Sequence, residues 1–143
     1  MSRFSFFLII VIITTSCKED DVRVDLLNNN SKAVEFELDF DEVVSFYSDI
    51  DIEYKVKPDL IYHCAFLRNG EPIFDGGVDA FVTTENLYDT LFVENGITHQ
   101  KFYGKLEGNL TAERYGIYAV KTRLIKNNHP DLKINKADIV FVR

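Results

Sequence analysis

From Ala33 onward the chain alternates apolar and polar residues with a period of two, and that period excludes helical folds over most of its length. Val34, Phe36, Leu38 and Phe40 alternate with Glu35, Glu37 and Asp39, while Ile50, Ile52, Tyr54 and Val56 alternate with Asp51, Glu53, Lys55 and Lys57. Successive strand residues point to opposite faces, so each segment has one apolar and one charged face, as half-buried antiparallel strands do. Pro58 has no N–H to donate to a ladder and ends the second segment. Leu60 to Arg68 is apolar on both faces and reads as a central strand. Asn69-Gly70 then supplies the two positive-φ positions of a type I′ hairpin returning through residues 71–74. Asp75-Gly76-Gly77 reads as a turn, and residues 78–83, 88–93, 99–106, 115–125 and 137–142 read as further strands. Glu94-Asn95-Gly96 marks another turn, and residues 126–136 a polar loop. The pattern predicts an all-β chain, an antiparallel sandwich or barrel of short strands.

Two motifs favour the sandwich. The apolar run over residues 60–67 followed by Arg68-Asn69-Gly70-Glu71-Pro72-Ile73 resembles the third strand and hairpin of immunoglobulin-like domains. Glu113-Arg114-Tyr115-Gly116-Ile117-Tyr118 resembles the tyrosine corner that opens their penultimate strand. The resemblance implies a single immunoglobulin-like antiparallel β-sandwich over residues 33–143. In it the Tyr118 ring packs inward and its hydroxyl caps an upstream backbone group. The acid stands one residue further from Gly116 than in that motif, and the chain has neither Trp nor a cysteine pair to bridge the sheets.

The N-terminus carries a different signal. Arg3 precedes an apolar core over residues 4–13, followed by small polar residues and Cys17. As a helix that core is only ~15 Å long, about half of the ~30 Å of bilayer hydrocarbon, and so reads as a secretory signal instead of a span. Thr14-Thr15-Ser16-Cys17 resembles a bacterial lipobox, with Thr14 where that pattern prefers Leu. The resemblance implies that Cys17 is acylated and becomes the first mature residue. Lys18-Glu19-Asp20-Asp21 resembles the surface-export signal of Bacteroidetes lipoproteins, which implies an outer-membrane protein facing the medium. Residues 1–16 are thus expected to be a lipoprotein signal peptide, and residues 17–32, with Asn28-Asn29-Asn30-Ser31, a polar acidic tether. Two or more acyl chains on Cys17 would anchor the protein stably, at roughly 0.8 kcal/mol per buried CH₂.

Removing residues 1–16 leaves 127 residues with 15 Lys and Arg against 23 Asp and Glu, a net charge of −8. Nucleic acid and anionic lipid require clustered bases, so neither is expected as the main partner. With Cys17 acylated, Cys64 stands alone without a disulfide partner. Adjacent strand residues face opposite ways, so His63 is poorly placed to activate Cys64, which reads as a buried small hydrophobe. His63, His99 and His129 fall in no ligand spacing, and no nucleophile elbow, P-loop, HExxH or CxxC is present. Asp49, Asp51 and Glu53 share one strand face and read as solvated. Asp75-Gly76-Gly77-Val78-Asp79 reads as a turn ahead of a calcium loop. No metal, cofactor or catalytic activity is expected. Phe46-Tyr47 and Phe102-Tyr103 each send adjacent rings to opposite faces. Asp89-Thr90-Leu91 resembles the short O-glycan acceptor motif of Bacteroidetes proteins.

The expected function is a non-catalytic outer-membrane lipoprotein, a surface binding module for a protein or glycan partner. Its candidate contact loop holds Asn127, Asn128, His129 and Asp131. The alternative is an envelope immunity or inhibitor lipoprotein, whose acidic faces would cover a basic toxin. Behind that stands a small-ligand carrier or hydrolase.

Overall fold

The computed structural model describes residues 21–28 and 33–143. The described residues form nine strands: β1 Val22–Asp25, β2 Ala33–Leu38, β3 Val43–Tyr54, β4 Leu60–Arg68, β5 Glu71–Asp79, β6 Thr83–Glu94, β7 Ile97–Thr111, β8 Gly116–Lys126 and β9 Lys133–Val142. All pairings are antiparallel, in a five-stranded sheet β1-β9-β3-β7-β6 and a four-stranded sheet β2-β8-β4-β5. The two sheets pack against each other, so the all-β sandwich expected from the alternation is the fold of the chain.

Alternation dictates what fills the interior. Val44, Phe46, Ser48, Ile50, Ile52 and Tyr54 project inward from β3, against Leu60, Tyr62, Cys64 and Phe66 from β4. Phe46 stands edge-on to Phe66 at 5.6 Å and to Phe141 of β9 at 5.2 Å, and Phe36 of β2 meets Phe141 at 5.9 Å. Edge-to-face rings of this kind contribute about 0.5–1.5 kcal/mol each beyond their area burial. The interior polar groups are paired. Ser48 Oγ lies 3.0 Å from Tyr62 Oη, which donates to the Asp138 carbonyl at 3.1 Å. No buried side-chain nitrogen or oxygen among the described residues lacks a partner. Burial pushes the Tyr62 hydroxyl far above its ordinary range, so it stays a donor.

The tyrosine corner forms as the resemblance implies. Tyr118 is buried, and its hydroxyl donates to the Arg114 carbonyl at 2.8 Å. Asn69 and Gly70 take φ of 48° and 83°, and Asn95 and Gly96 take 50° and 76°, the paired positive values that close the β4–β5 and β6–β7 hairpins. β3, β7 and β6 follow the order of the B, E and D strands of an immunoglobulin constant domain, and β4 and β8 that of C and F. The flanks differ. The last strand, β9, lies beside β3 where that domain places strand A, and β2 lies beside β8 in the place of strand G.

Several boundaries depart from the sequence pattern. The expected tether includes β1, which pairs Val22 with Phe141 and Asp25 with Asp138. Val24 and the following Leu26 are buried, and that burial recruits a segment too short to show a period. β2 ends at Leu38, and Phe40 stands 72 % exposed beside the left-handed Asp41 (φ 70°) instead of extending the core face. Gly76 and Gly77 lie inside β5, opposite Cys64 and His63, and do not turn the chain. That turn follows Asp79, whose carboxylate accepts from the Phe81 N–H at 2.8 Å. β3 and β7 are longer than their alternation shows, because Ser45, Gly104 and Gly108 interrupt it. At Gly104 a Cβ would stand 2.8 Å from Thr83 and 3.0 Å from the Glu85 carbonyl, so only glycine admits the bulged start of β6 there. Finally, β4 buries one face only, with Ile61 on its outer face exposed.

Replacing Tyr62 or Tyr118 by Phe deletes a buried hydroxyl and leaves its acceptor carbonyl unpaired. Each change is expected to cost about 1–2 kcal/mol, read as a lower Tm with the β-sheet circular dichroism spectrum retained.

Candidate functional site

The site arises where the two sheets part company at one edge. β6 pairs with β7 only from Ile97 to Leu106, whereas β3 pairs with β7 as far as Thr111. Among the described residues, 109–111 of β7 therefore pair with β3 alone, and 107 and 108 stand at a break in that ladder. Across the mouth lies β5, the edge strand of the other sheet. Each facing strand has a glycine on its inner face: Gly108 between Leu106 and Leu110, and Gly76 between Phe74 and Val78. Gly108 leaves its place open where the sandwich interior meets solvent, whereas the Phe74 ring folds over Gly76, 2.6 Å from where a Cβ would stand.

The result is a cleft of about 730 Å³. Phe46, Cys64, Phe66 and Tyr118, all buried core residues, form its floor. Ile73 and Phe74 form one lip, 41 % and 55 % exposed, and Glu107 and Glu113 stand on the other with Arg68 nearby. A β-bulge between Phe66 and Leu67 of β4 and their β5 partners leaves Ile73 without an opposite residue and turns it to this lip. Phe74 lies 5.3 Å from Phe66 and continues the aromatic floor outward. The Arg68 guanidinium is 3.9 Å from Glu113, so of two carboxylates on the rim one has a cation at ion-pair distance. An apolar floor with a few polar groups at the rim, at this volume, is the usual make-up of a binding site.

On the outer face of the five-stranded sheet the acids of β3 are ion-paired. Asp51 pairs with Lys101 at 3.7 Å, and Glu53 with Lys133 and His99 at 3.3 Å each. Arg23 of β1 bridges Asp49 at 2.5 Å and Asp138 at 2.8 Å, two carboxylates that stand opposite each other in register. Burial disfavours the charge on Asp49, but hydrogen bonds from Lys136 and Arg23 outweigh it and hold the carboxyl below the usual range. Tyr47 and Tyr103 stack on this face at 5.7 Å, while their neighbours Phe46 and Phe102 are buried, as the paired rings predicted.

Other singled-out residues occupy separate places. His63 faces out to Asp75 at 2.5 Å while Cys64 faces in, 3.8 Å from Thr122 Oγ1, so no Cys–His pair exists. Burial pushes the Cys64 thiol up to about 11, against the lowering effect of Thr122. His99 stacks on Phe92 at 4.7 Å, and His129 lies 3.0 Å from Asn127. Among the described residues no three His, Cys, Asp or Glu side chains converge as metal ligands would.

The contact loop proposed from sequence lies between β8 and β9. Asn127 is engaged within the fold: it accepts from the Asp59 N–H at 3.2 Å and donates to the Asp59 carboxylate at 3.2 Å. Asp131 pairs with Lys55 at 3.5 Å, while Asn128 is exposed. Asn127 and Asp131 clasp the β3–β4 and β8–β9 loops together, and none of the four residues lines the cleft. Cys17, Lys18, Glu19 and Asp20 lie outside the described residues, and Asp21 is exposed just before β1. Sequence reasoning missed the cleft itself. Its only trace there is a Leu-x-Gly-x-Leu spacing, Leu106, Gly108 and Leu110, within an otherwise apolar alternation.

Two measurements test this account. The folded Asp49 carboxyl titrates below its unfolded value, so its stabilisation is full above about pH 4 and is lost as pH falls through the folded pKa. Asp49→Asn should cost about 1 kcal/mol at pH 7 and flatten the acid limb of the stability–pH curve. Cys64 should be alkylated at pH 8 roughly a hundredfold more slowly in the folded protein than an unperturbed thiol, read by mass spectrometry before and after denaturation.

A scan against protein-family models and a search of curated proteins find no match to this chain.

Proposed function

We propose that this protein is a non-catalytic, lipid-anchored envelope module that recognises a protein or glycan partner through the cleft between β5 and β7. The observation that carries the reading is the cleft: a recess floored by buried core aromatics, with Ile73 and Phe74 exposed at its lip, in a sandwich whose buried side-chain nitrogens and oxygens are all paired among the described residues. Acylation of Cys17 and export directed by Lys18, Glu19, Asp20 and Asp21 remain the reading of the N-terminal motifs. The β1 position adds a geometric consequence. Only four residues stand between Cys17 and Val22, five Cα steps with a reach of at most about 18 Å, so an anchored Cys17 would hold the sandwich close to its leaflet. Val22 pairs with Phe141 near the end of β9, at the end of the sandwich where β7 finishes and the cleft opens. On this reading the cleft lies toward the membrane, and the β3–β4 and β8–β9 loops face away from it. The tyrosine corner and the shared order of the inner strands support a place among immunoglobulin-like sandwiches despite the altered flanks.

The anchor has a direct test. Cells fed a palmitate analogue should label the wild-type protein, and Cys17→Ala should remove the label and leave the precursor unprocessed. Replacing Lys18, Glu19 and Asp20 by alanine should move the protein from protease-accessible to protected in intact cells. Labelling that persists without Cys17 would overturn the anchor, and unchanged accessibility would overturn the surface placement.

A further inference from the structure

We propose that the cleft takes an extended polypeptide segment, which adds as a strand to residues 107–111 of β7 and places apolar side chains over Gly108 and basic side chains against Glu107 and Glu113. The inference rests on the reading of the cleft as a recognition site and names its occupant.

Three observations carry it. The first is backbone valence. In an antiparallel ladder the N–H and C=O groups of alternate residues point to opposite neighbours, so with β3 paired to residues 109–111 and its ladder broken opposite 106–108, part of residues 107–111 direct theirs into the mouth. β6 occupies the corresponding position along residues 97–106 and stops at the start of the cleft. An added strand would continue its line for about five residues, or about 17 Å.

Shape is the second. A strand laid there would send every other side chain inward, toward the space left by Gly108, whose added Cβ would stand at an ordinary 3.9 Å from Phe46 and meet nothing nearer. Phe74 and Ile73, about half exposed, flank that space and would be covered. Small-molecule ligands would use the floor but leave the edge of β7 unpaired.

Charge is the third, and it decides between partners. The rim offers Glu107 and Glu113 against Arg68 alone, while Glu85 at the near end of β6 stands opposite Lys105. The whole chain carries −7. A second copy would bring like charges to this edge, whereas a segment with Lys or Arg between aliphatic residues complements it. Backbone pairing would supply affinity and the Gly108 pocket selectivity, the division of labour of strand addition.

The test uses the full chain in nanodiscs and a fluorescent nonapeptide alternating Lys with Val and Ile. Saturable binding is expected, with slowed deuterium uptake confined to residues 107–111 of β7 and the facing β5. N-methylation at alternate peptide residues, Glu in place of Lys, and Gly108→Leu should each weaken binding about tenfold or more. Gly108→Ala, which adds only the tolerated Cβ, should stay within about twofold and serves as the folding control. Absence of binding would overturn the proposal, as would equal affinity for the N-methylated peptide, which would mark a side-chain pocket without strand addition. Concentration-dependent self-association abolished by Gly108→Leu would assign the cleft to a second copy and overturn it too. A wild-type protein that takes no palmitate label yet binds the peptide would overturn the anchor and leave this inference standing; a labelled protein that does not bind it would overturn this inference alone.

Discussion

The packing of Phe46 against Phe66 and Phe141 is the contact on which the rest of the molecule turns. Phe46 belongs to β3, which pairs on both sides along its length and forms the middle of the five-stranded sheet. Its ring meets the other sheet through Phe66 and its own sheet through Phe141, each edge-on at under 6 Å. The same ring is the nearest atom to the space above Gly108 and part of the cleft floor. Adhesion between the sheets and the floor of the site are therefore one set of side chains. Truncation of Phe46 would cost several kcal/mol of core packing before it said anything about recognition, so the site is better probed from Gly108, where atoms are added and none removed.

Edges divide the sheets into protected and unprotected parts. β2 carries Glu35 and Glu37 on its outer face, β5 carries Pro72, and β1 is four residues long, all features that blunt edge-to-edge association. β6 is longer and exposes Leu87, Tyr88, Leu91, Phe92 and Val93, but Glu85, Asp89 and Glu94 are interspersed and two bulges break its ladder to β7. Residues 107–111 of β7 are different in kind. They lie in the recess between sheets, where a free edge is shielded from broad strand pairing yet reachable by a single extended segment.

Much of the fold was legible because the signals were local. The period-two runs fixed β2, β3 and β4, and the Asn-Gly pairs fixed both hairpins through their need for positive φ. Glu113-Arg114-Tyr115-Gly116-Ile117-Tyr118 located the corner, and its hydrogen bond spans only four residues. What escaped depends on partners distant in sequence. Val22–Asp25 is a strand because β9, at the other end of the chain, pairs with it. Gly76-Gly77 looks like a turn by composition, yet β4 satisfies its backbone as a strand. In the polar loop of residues 126–136, the contacts of Asn127 to Asp59 and of Asp131 to Lys55 likewise join segments that the sequence pattern keeps apart. The cleft was the least legible feature, since it turns on one absent side chain, at Gly108, on a strand that only the sandwich brings to face β5.

That absence is not forced by the backbone. Gly70 and Gly96 sit at φ of 83° and 76°, where a side chain is strained, and Gly104 is crowded by Thr83 and the Glu85 carbonyl. Gly108 has neither excuse: its φ is not positive and its Cβ position is open, although the β3–β7 ladder shifts register opposite residues 106–108. A Val or Leu there would cover part of the aromatic floor, and each buried methylene is worth about 0.8 kcal/mol. Leaving Phe74 half exposed forgoes about 1 kcal/mol more of burial, a noticeable share of the 5–15 kcal/mol that usually separates folded from unfolded. The chain thus gives up stability at one place where nothing in its own geometry requires it. An occupant that covers Phe74 and Ile73 recovers that burial only when bound, which converts a packing defect of the isolated sandwich into a free-energy difference between the empty and occupied states.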